Sequence, residues 1–256
     1  MKMPVLFIGH GSPMNAITDN EWSRGFKALG RALPTPKAIL AISAHWWGPG
    51  THLTGNESPD TIHDFGGFPP ELFAVQYPAK GAPGLAQRIA SMLPRADVSL
   101  GWGLDHGTWS VLTHLAPAAD VPVLQLSLDQ RATPEEHLAL GARLAPLRED
   151  DVLIIGSGNL THNLRHAFAS WRQGIQATPD WAGRFDAEAQ RTLEQHDGQA
   201  LAKLLDSDDG RLCHPTLEHF MPVLYAIGAS DRRDTVTFPI TGFDMASLSM
   251  RTVQFG

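Results

Sequence analysis

The chain has 256 residues, of which 43% are apolar and 18% charged, a balance that supports a sizeable folded core. A formal charge of −7 and a pI near 5.9, with Lys and Arg scattered along the chain, exclude the basic face of a nucleic-acid binder. No run is apolar and long enough to span a bilayer, and the first residues lack a basic segment followed by an apolar signal region, so a cytoplasmic protein with no membrane partner is expected.

In chain order, "PVLFIGHGSPMN" predicts a buried strand over 4–8 with His10 at its end. "KAILAISAHWWGPG" predicts a second over 38–43, running out through Ser43 and Ala44 to His45. "APGLAQRIASMLP" reads as a helix opened by Pro83 and stopped by Pro94, with Leu85, Ile89 and Met92 on one face. "GWGLDHGTWSVLTHL" places His106 just before a helix that Thr108 is suited to cap, and His114 inside it as a structural residue. A strand over 121–128 precedes "ATPEEHLALGARLAPL", where Thr133, Pro134 and Glu136 form a capping box and His137 reads as a solvated helix residue. A strand over 152–155 then ends in a Gly/Ser/Asn turn leading to His162. "NLRHAFASWRQG" and "PDWAGRFDAEAQRTLEQHDGQALAKLLD" read as two helices, with His166 and His196 as ordinary surface or packing residues. "DTVTFPI" and "SLSMRTVQF" read as antiparallel edge strands, with Pro239 at an edge. Strands alternating with helices predict one α/β domain over 1–256, a central mixed and mostly parallel sheet flanked by helices.

Twelve histidines are the one compositional excess, and three of them, His10, His45 and His162, stand at strand ends. Ligands of open α/β sheets gather at the carboxyl edge, so recurrence there favours a site over isolated packing histidines. His214 and His219 are further candidates to face the cleft. Neutral imidazoles suit a borderline divalent metal with open positions, although a spread from residue 10 to 219 is not a compact ligand motif. Cys213 rules out an internal disulfide and reads as a buried small apolar side chain. "GSGN" at Gly156–Asn159 lacks the third glycine of a dinucleotide fingerprint and reads as a tight turn. Ser12 lacks the glycine pattern of a nucleophile elbow. Trp46, Trp47, Trp102 and Trp109 fall near the histidine loops, as core packing or as the wall of an aromatic pocket.

"GHGSPMN", "SAHWW", "TIHDFGGFP", "LDHGTW", "GSGNLTHNL" and "HPTLEHFMPVLYAIGA" together resemble the class III extradiol ring-cleavage dioxygenases, and within them the bacterial 4,5-DOPA extradiol dioxygenase branch. The resemblance keeps motif order from the first strand to about residue 228. It implies one non-haem divalent metal, with Fe(II) expected for turnover and Zn(II) as an occupant of the isolated protein. The small-molecule partners it implies are a small aromatic diol and O2; no pattern specifies a partner subunit. By resemblance His10, His45 and His219 are metal ligands, His219 coming from the later helix, and His162 is either a further ligand or the catalytic base. His106 is a substrate-facing catalytic histidine, and His63, Asp64 and Phe65 belong to a substrate-binding loop. Many extradiol enzymes use two histidines and a carboxylate, whereas the late position here is His219 with Glu218 one residue out of phase. A zinc-dependent hydrolase on the same scaffold and a non-catalytic metal-binding protein are the rival readings.

Overall fold

The first apolar run forms β1 (Val5–Gly9), all of it buried. The computed structural model describes residues 2–256. α1 (Glu21–Ala32) leads to β2 (Ala38–Gly48), which outruns the expected strand end and carries His45 within it. β3 (Thr51–Thr54), the short α2 (Pro70–Phe73), α3 (Pro83–Met92) and β4 (Ala96–Ser99) follow. Then come α4 (His106–Leu115), β5 (Val123–Asp129), α5 (Pro134–Leu144) and β6 (Val152–Gly158). The chain continues with α6 (Leu164–Arg172), α7 (Asp180–Glu194), α8 (Gly198–Lys203), α9 (Asp208–Cys213) and α10 (Met221–Ala229), and closes with β7 (Val236–Ile240), β8 (Phe243–Asp244), β9 (Leu248–Ser249) and β10 (Thr252–Phe255).

Eight strands form one sheet in the order β4-β3-β5-β2-β6-β1-β10-β7. Its centre, β5-β2-β6-β1, is parallel, while β10 and β7 close one side antiparallel and β3 runs antiparallel to β5 on the other. The expected mixed, mostly parallel α/β sheet is therefore present. Successive side chains alternate between its faces. Val5 and Phe7 of β1, with Val152 and Ile154 of β6, enter the core shared with α5 and α10. Leu6, Ile8, Leu153 and Ile155 enter the core shared with α1 and α4.

Three local readings differ from the structure. Gly156–Gly158 is not a tight turn but the end of β6, and its glycines serve close packing: a Cβ on Gly156 would lie 2.3 Å from the Pro222 carbonyl oxygen, and one on Gly158 2.1 Å from that of His219. The long helix after Pro179 breaks at His196, whose φ of 53° is left-handed, and Asp197 caps a new helix. The cap of α4 is Asp105, whose carboxylate accepts from the Thr108 amide; the Thr108 hydroxyl does not do it.

His137 is the fourth difference, being fully buried where a solvated residue was expected. It shares the inward face of α5 with Leu140, Gly141 and Leu144, packs on Trp47 and lies 3.1 Å through Nδ1 from the Tyr225 hydroxyl. Gly141 lets α10 approach until the Tyr225 backbone leaves no room for a Cβ, so this face of α5 has no access to water. Burial lowers the pKa of His137 to about 4, and that of the equally inaccessible His214 to about 4. The unfolded chain binds protons on these imidazoles below about pH 6.5, the folded protein only near 4; stability is therefore complete above the first value and declines as pH falls toward the second. The urea midpoint of the metal-free protein is expected to drop between pH 7 and pH 5. His137→Gln should make that decline shallower by about 1 kcal/mol per pH unit, and an unchanged slope would contradict the assignment.

Candidate metal centre

β1, β6 and β2 are neighbours, and their carboxyl ends bring the strand-end histidines together. His10 follows β1 directly; its amide donates to the Gly158 carbonyl at 3.0 Å and its own carbonyl accepts from Asn15 Nδ2 at 3.1 Å. His10 Nδ1 lies 2.9 Å from Ser157 Oγ, which donates to the Gly107 carbonyl at 2.5 Å. A serine hydroxyl has one proton, so Ser157 accepts from His10 Nδ1–H and leaves the lone pair on His10 Nε2. That Nε2 lies 3.3 Å from His45 Nε2.

His45 sits on β2 between Ile42 and Trp47, where the register with β5 shifts. Its amide donates to Ser43 Oγ at 3.2 Å, and Ser43 donates to the buried Asp105 carboxylate at 2.6 Å. Gln125 Nε2 holds the other Asp105 oxygen at 2.5 Å. Burial, then the nearby Asp64 charge, lift the Asp105 pKa to about 6. Asp64 bonds His106 twice, accepting from the amide and from Nδ1 at 2.9 Å each, and the same carboxylate lies 3.3 Å from His45 Nδ1. The His45 and His106 ring centroids are only 3.7 Å apart, an approach that Gly107 permits because a Cβ there would lie 2.9 Å from the His45 ring.

His219 lies in the turn before α10, not on the helix as expected. Its carbonyl accepts from the Asn159 amide at 2.9 Å, its Nδ1 lies 3.1 Å from Glu218 Oε1, and its ring stacks on His162 with centroids 3.4 Å apart and planes 8° from parallel. The His162 amide donates to the Cys213 carbonyl at 3.0 Å, and among the described residues neither nitrogen of its ring is hydrogen-bonded to the protein. Potential ligand atoms form two groups, each within 4.8 Å: His10, His45 and His106, and His162, Glu218 and His219. The expected set of His10, His45, His162 and His219 thus spans both groups, which meet where the His219 centroid lies 5.3 Å from that of His10 and 5.0 Å from that of His45.

Burial first, and neighbouring imidazoles second, hold His10, His45 and His219 well below the ordinary imidazole range, and burial with neighbouring histidines takes His162 to about 3. The rings are neutral at pH 7 with free lone pairs, a donor set that fits one divalent transition-metal ion. Within the expected substrate loop, Asp64 is occupied by the two histidines, and Phe65 lies 5.4 Å from the His106 ring. His63 is turned to its own loop, at 3.0 Å from the Val75 carbonyl, and packs on Trp109. The four tryptophans form no single wall: Trp46 stacks on Trp102, Trp47 packs on His137, and Trp109 is buried with its indole N–H on the Ile62 carbonyl. Reading the sequence missed Ser43, Gln125 and Ser157 as supports, since they act through other side chains and carry no spacing signal.

Residues 4–249 match the family described as the catalytic LigB subunit of aromatic ring-opening dioxygenase. The chain belongs to this family. The 4,5-DOPA dioxygenase extradiol of Escherichia coli (strain K12) is 44% identical over 264 residues, spanning all of this chain and 95% of that protein. The Beta vulgaris protein of the same name is 35% identical, spanning 97% of this chain and 95% of its own length. A solved structure of an uncharacterized Escherichia coli K12 protein matches over the whole of both chains with a TM-score of 0.87 at 39% identity. Family membership makes the chain an extradiol ring-cleaving, metal-dependent dioxygenase, and the histidine cluster is where one metal fits. Supporting hydrogen bonds of metal-binding histidines are typically worth about 10- to 100-fold in affinity. Ser157→Ala is accordingly expected to weaken divalent-metal affinity by about that factor in a chelator competition, with the fold intact by circular dichroism. An unaltered affinity would remove Ser157 from the centre.

Proposed function

We propose that the protein opens the aromatic ring of a catechol with a DOPA-like side chain, using O2 and one bound Fe(II), with His10, His45 and His219 as the ligands, His162 as the base and His106 as the orienting donor. One observation carries this division of roles. The Nδ1 atoms of His10, His45 and His219 each face an oxygen, from Ser157, Asp64 and Glu218 respectively, which would leave their Nε2 lone pairs free for an ion, whereas the His162 ring has no such tether. The names of the relatives, 4,5-DOPA dioxygenase extradiol, support the choice of substrate.

When bound, Fe(II) supplies the Lewis acidity and redox chemistry that couple a catechol to O2. With His10, His45 and His219 holding the ion, the centre would keep room for a catechol and O2 beside them. His162, the ring without a side-chain tether, accepts a catechol hydroxyl proton and later returns it to oxygen as the ring opens. The Asp64 carboxylate, held low at about 2 chiefly by its His106 bond against the cost of burial, favours a proton on His106 Nδ1 and fixes that ring's orientation. Phe65 offers an aromatic face beside it. Overall the catechol gains both atoms of O2, and the bond between a hydroxylated carbon and its unhydroxylated neighbour is cleaved to a muconic semialdehyde-type product.

The Fe(II)-loaded protein is expected to consume one O2 per catechol across a small catechol panel; a zinc hydrolase would consume none. His45→Ala should lose the metal, while His166→Ala, on the surface helix α6, should keep it. Full occupancy in His45→Ala would defeat the ligand assignment. His162→Gln, measured for iron content, catechol affinity and oxygen uptake together, should keep the first two while turnover falls about a hundredfold or more. Loss of metal in proportion to activity would make His162 a ligand instead.

A further inference from the structure

Beside the histidine cluster lies a cavity of about 480 Å³ whose lining includes His162, Leu164, Arg165, Arg211, Leu212 and Glu218. It shares His162 with the centre, since that ring both lines the cavity and stacks on His219. The charges of the lining are unequal in availability. Arg211 is occupied by the Asp206 carbonyl and the Asp208 carboxylate. Glu218 spends Oε1 on His219 Nδ1 and the Thr216 hydroxyl. Arg165 is exposed, and among the described residues no carboxylate pairs with it. On the other flank of the centre the Asp64 carboxylate lies against His45 and His106, backed by the aromatic packing of Phe65 with Phe68 and Phe73. An anionic substituent would be repelled there and attracted at Arg165, while Leu164 and Leu212 suit the short methylene spacer between ring and charge.

We infer that Arg165 selects among catechols by pairing with a carboxylate on the substrate's side chain, which lies in this cavity while the ring occupies the histidine centre. This deepens the ring-cleavage reading and rests on it. A guanidinium–carboxylate pair is charge-assisted and, when bidentate, directional, so it fixes which edge of the ring meets the metal as well as adding affinity.

The test uses Arg165→Gln and Arg165→Lys in the full chain loaded with Fe(II), and four catechols that differ only in the side chain: DOPA, 3-(3,4-dihydroxyphenyl)propanoate, dopamine and 4-methylcatechol. For the two carboxylates KM should rise about ten- to hundredfold in Arg165→Gln and less in Arg165→Lys. For dopamine and 4-methylcatechol it should stay within about twofold. Equal changes for all four, or none, would overturn the proposal. Equilibrium binding of the propanoate and of 4-methylcatechol without oxygen separates this from the reaction itself. If the unmutated protein binds both without consuming O2 and Arg165→Gln loses only the propanoate, the ring-cleavage reading fails and Arg165 stands. If it loses both equally, or neither, Arg165 has no such role.

Discussion

Five imidazoles crowded together out of water repel one another once protonated, and that electrostatic constraint governs how the rest of the site is built. His10, His45, His106, His162 and His219 form a chain of ring contacts with centroid separations from 3.4 to 5.9 Å. Burial is the largest cause of the lowered pKa values of four of them, and their neighbours add to it. Those four rings are therefore neutral lone-pair donors at neutral pH.

Close backbone approach makes that assembly sterically feasible. Gly156 and Gly158 bring the start of α10 and the turn before it against β6, and Gly107 brings the start of α4 against the Ser43 and His45 side chains of β2, at separations where any Cβ would collide. Behind them the buried Asp105 carboxylate accepts from the Ser43 hydroxyl, the Gln125 side-chain amide and the Thr108 backbone amide, and Ser43 in turn accepts from the His45 amide on the strand that carries it. The histidine cluster is thus mounted on closely packed elements and oriented by a buried side-chain network.

The polarity of the two flanks follows from the same layout. The loop after β3 places Asp64 beside His45 and His106, and α6 starts two residues after the untethered His162 and carries Arg165 into the cavity that Glu218 also lines, so the charges around the centre are unevenly distributed. A symmetric diol has no preferred orientation in a symmetric pocket; an asymmetric field gives a substituted catechol one.

Much was legible in the residues alone. Apolar runs ending in His10 and His45 announced buried parallel strands, alternation with helical patterns announced the α/β sheet, and Thr133 with Glu136 formed the expected capping box. These features depend on local periodicity and on side chains a few residues apart. His137 was misread although its inward face, with Leu140, Gly141 and Leu144, has regular helical spacing, because a histidine's polarity outweighed the pattern. The sequence by itself determined the four central parallel strands and several of the flanking helices, though not α1, β3 or β4, and its ordered motifs marked the family. Only the tertiary structure decided that Ser157 orients His10 and that Asp64 serves two rings at once. It also decided that "GSG" is a packing surface and that His162 opens toward Arg165. Each of these joins groups separated by long stretches of chain, or depends on which way a strand end faces, and neither distance nor direction is written in local spacing.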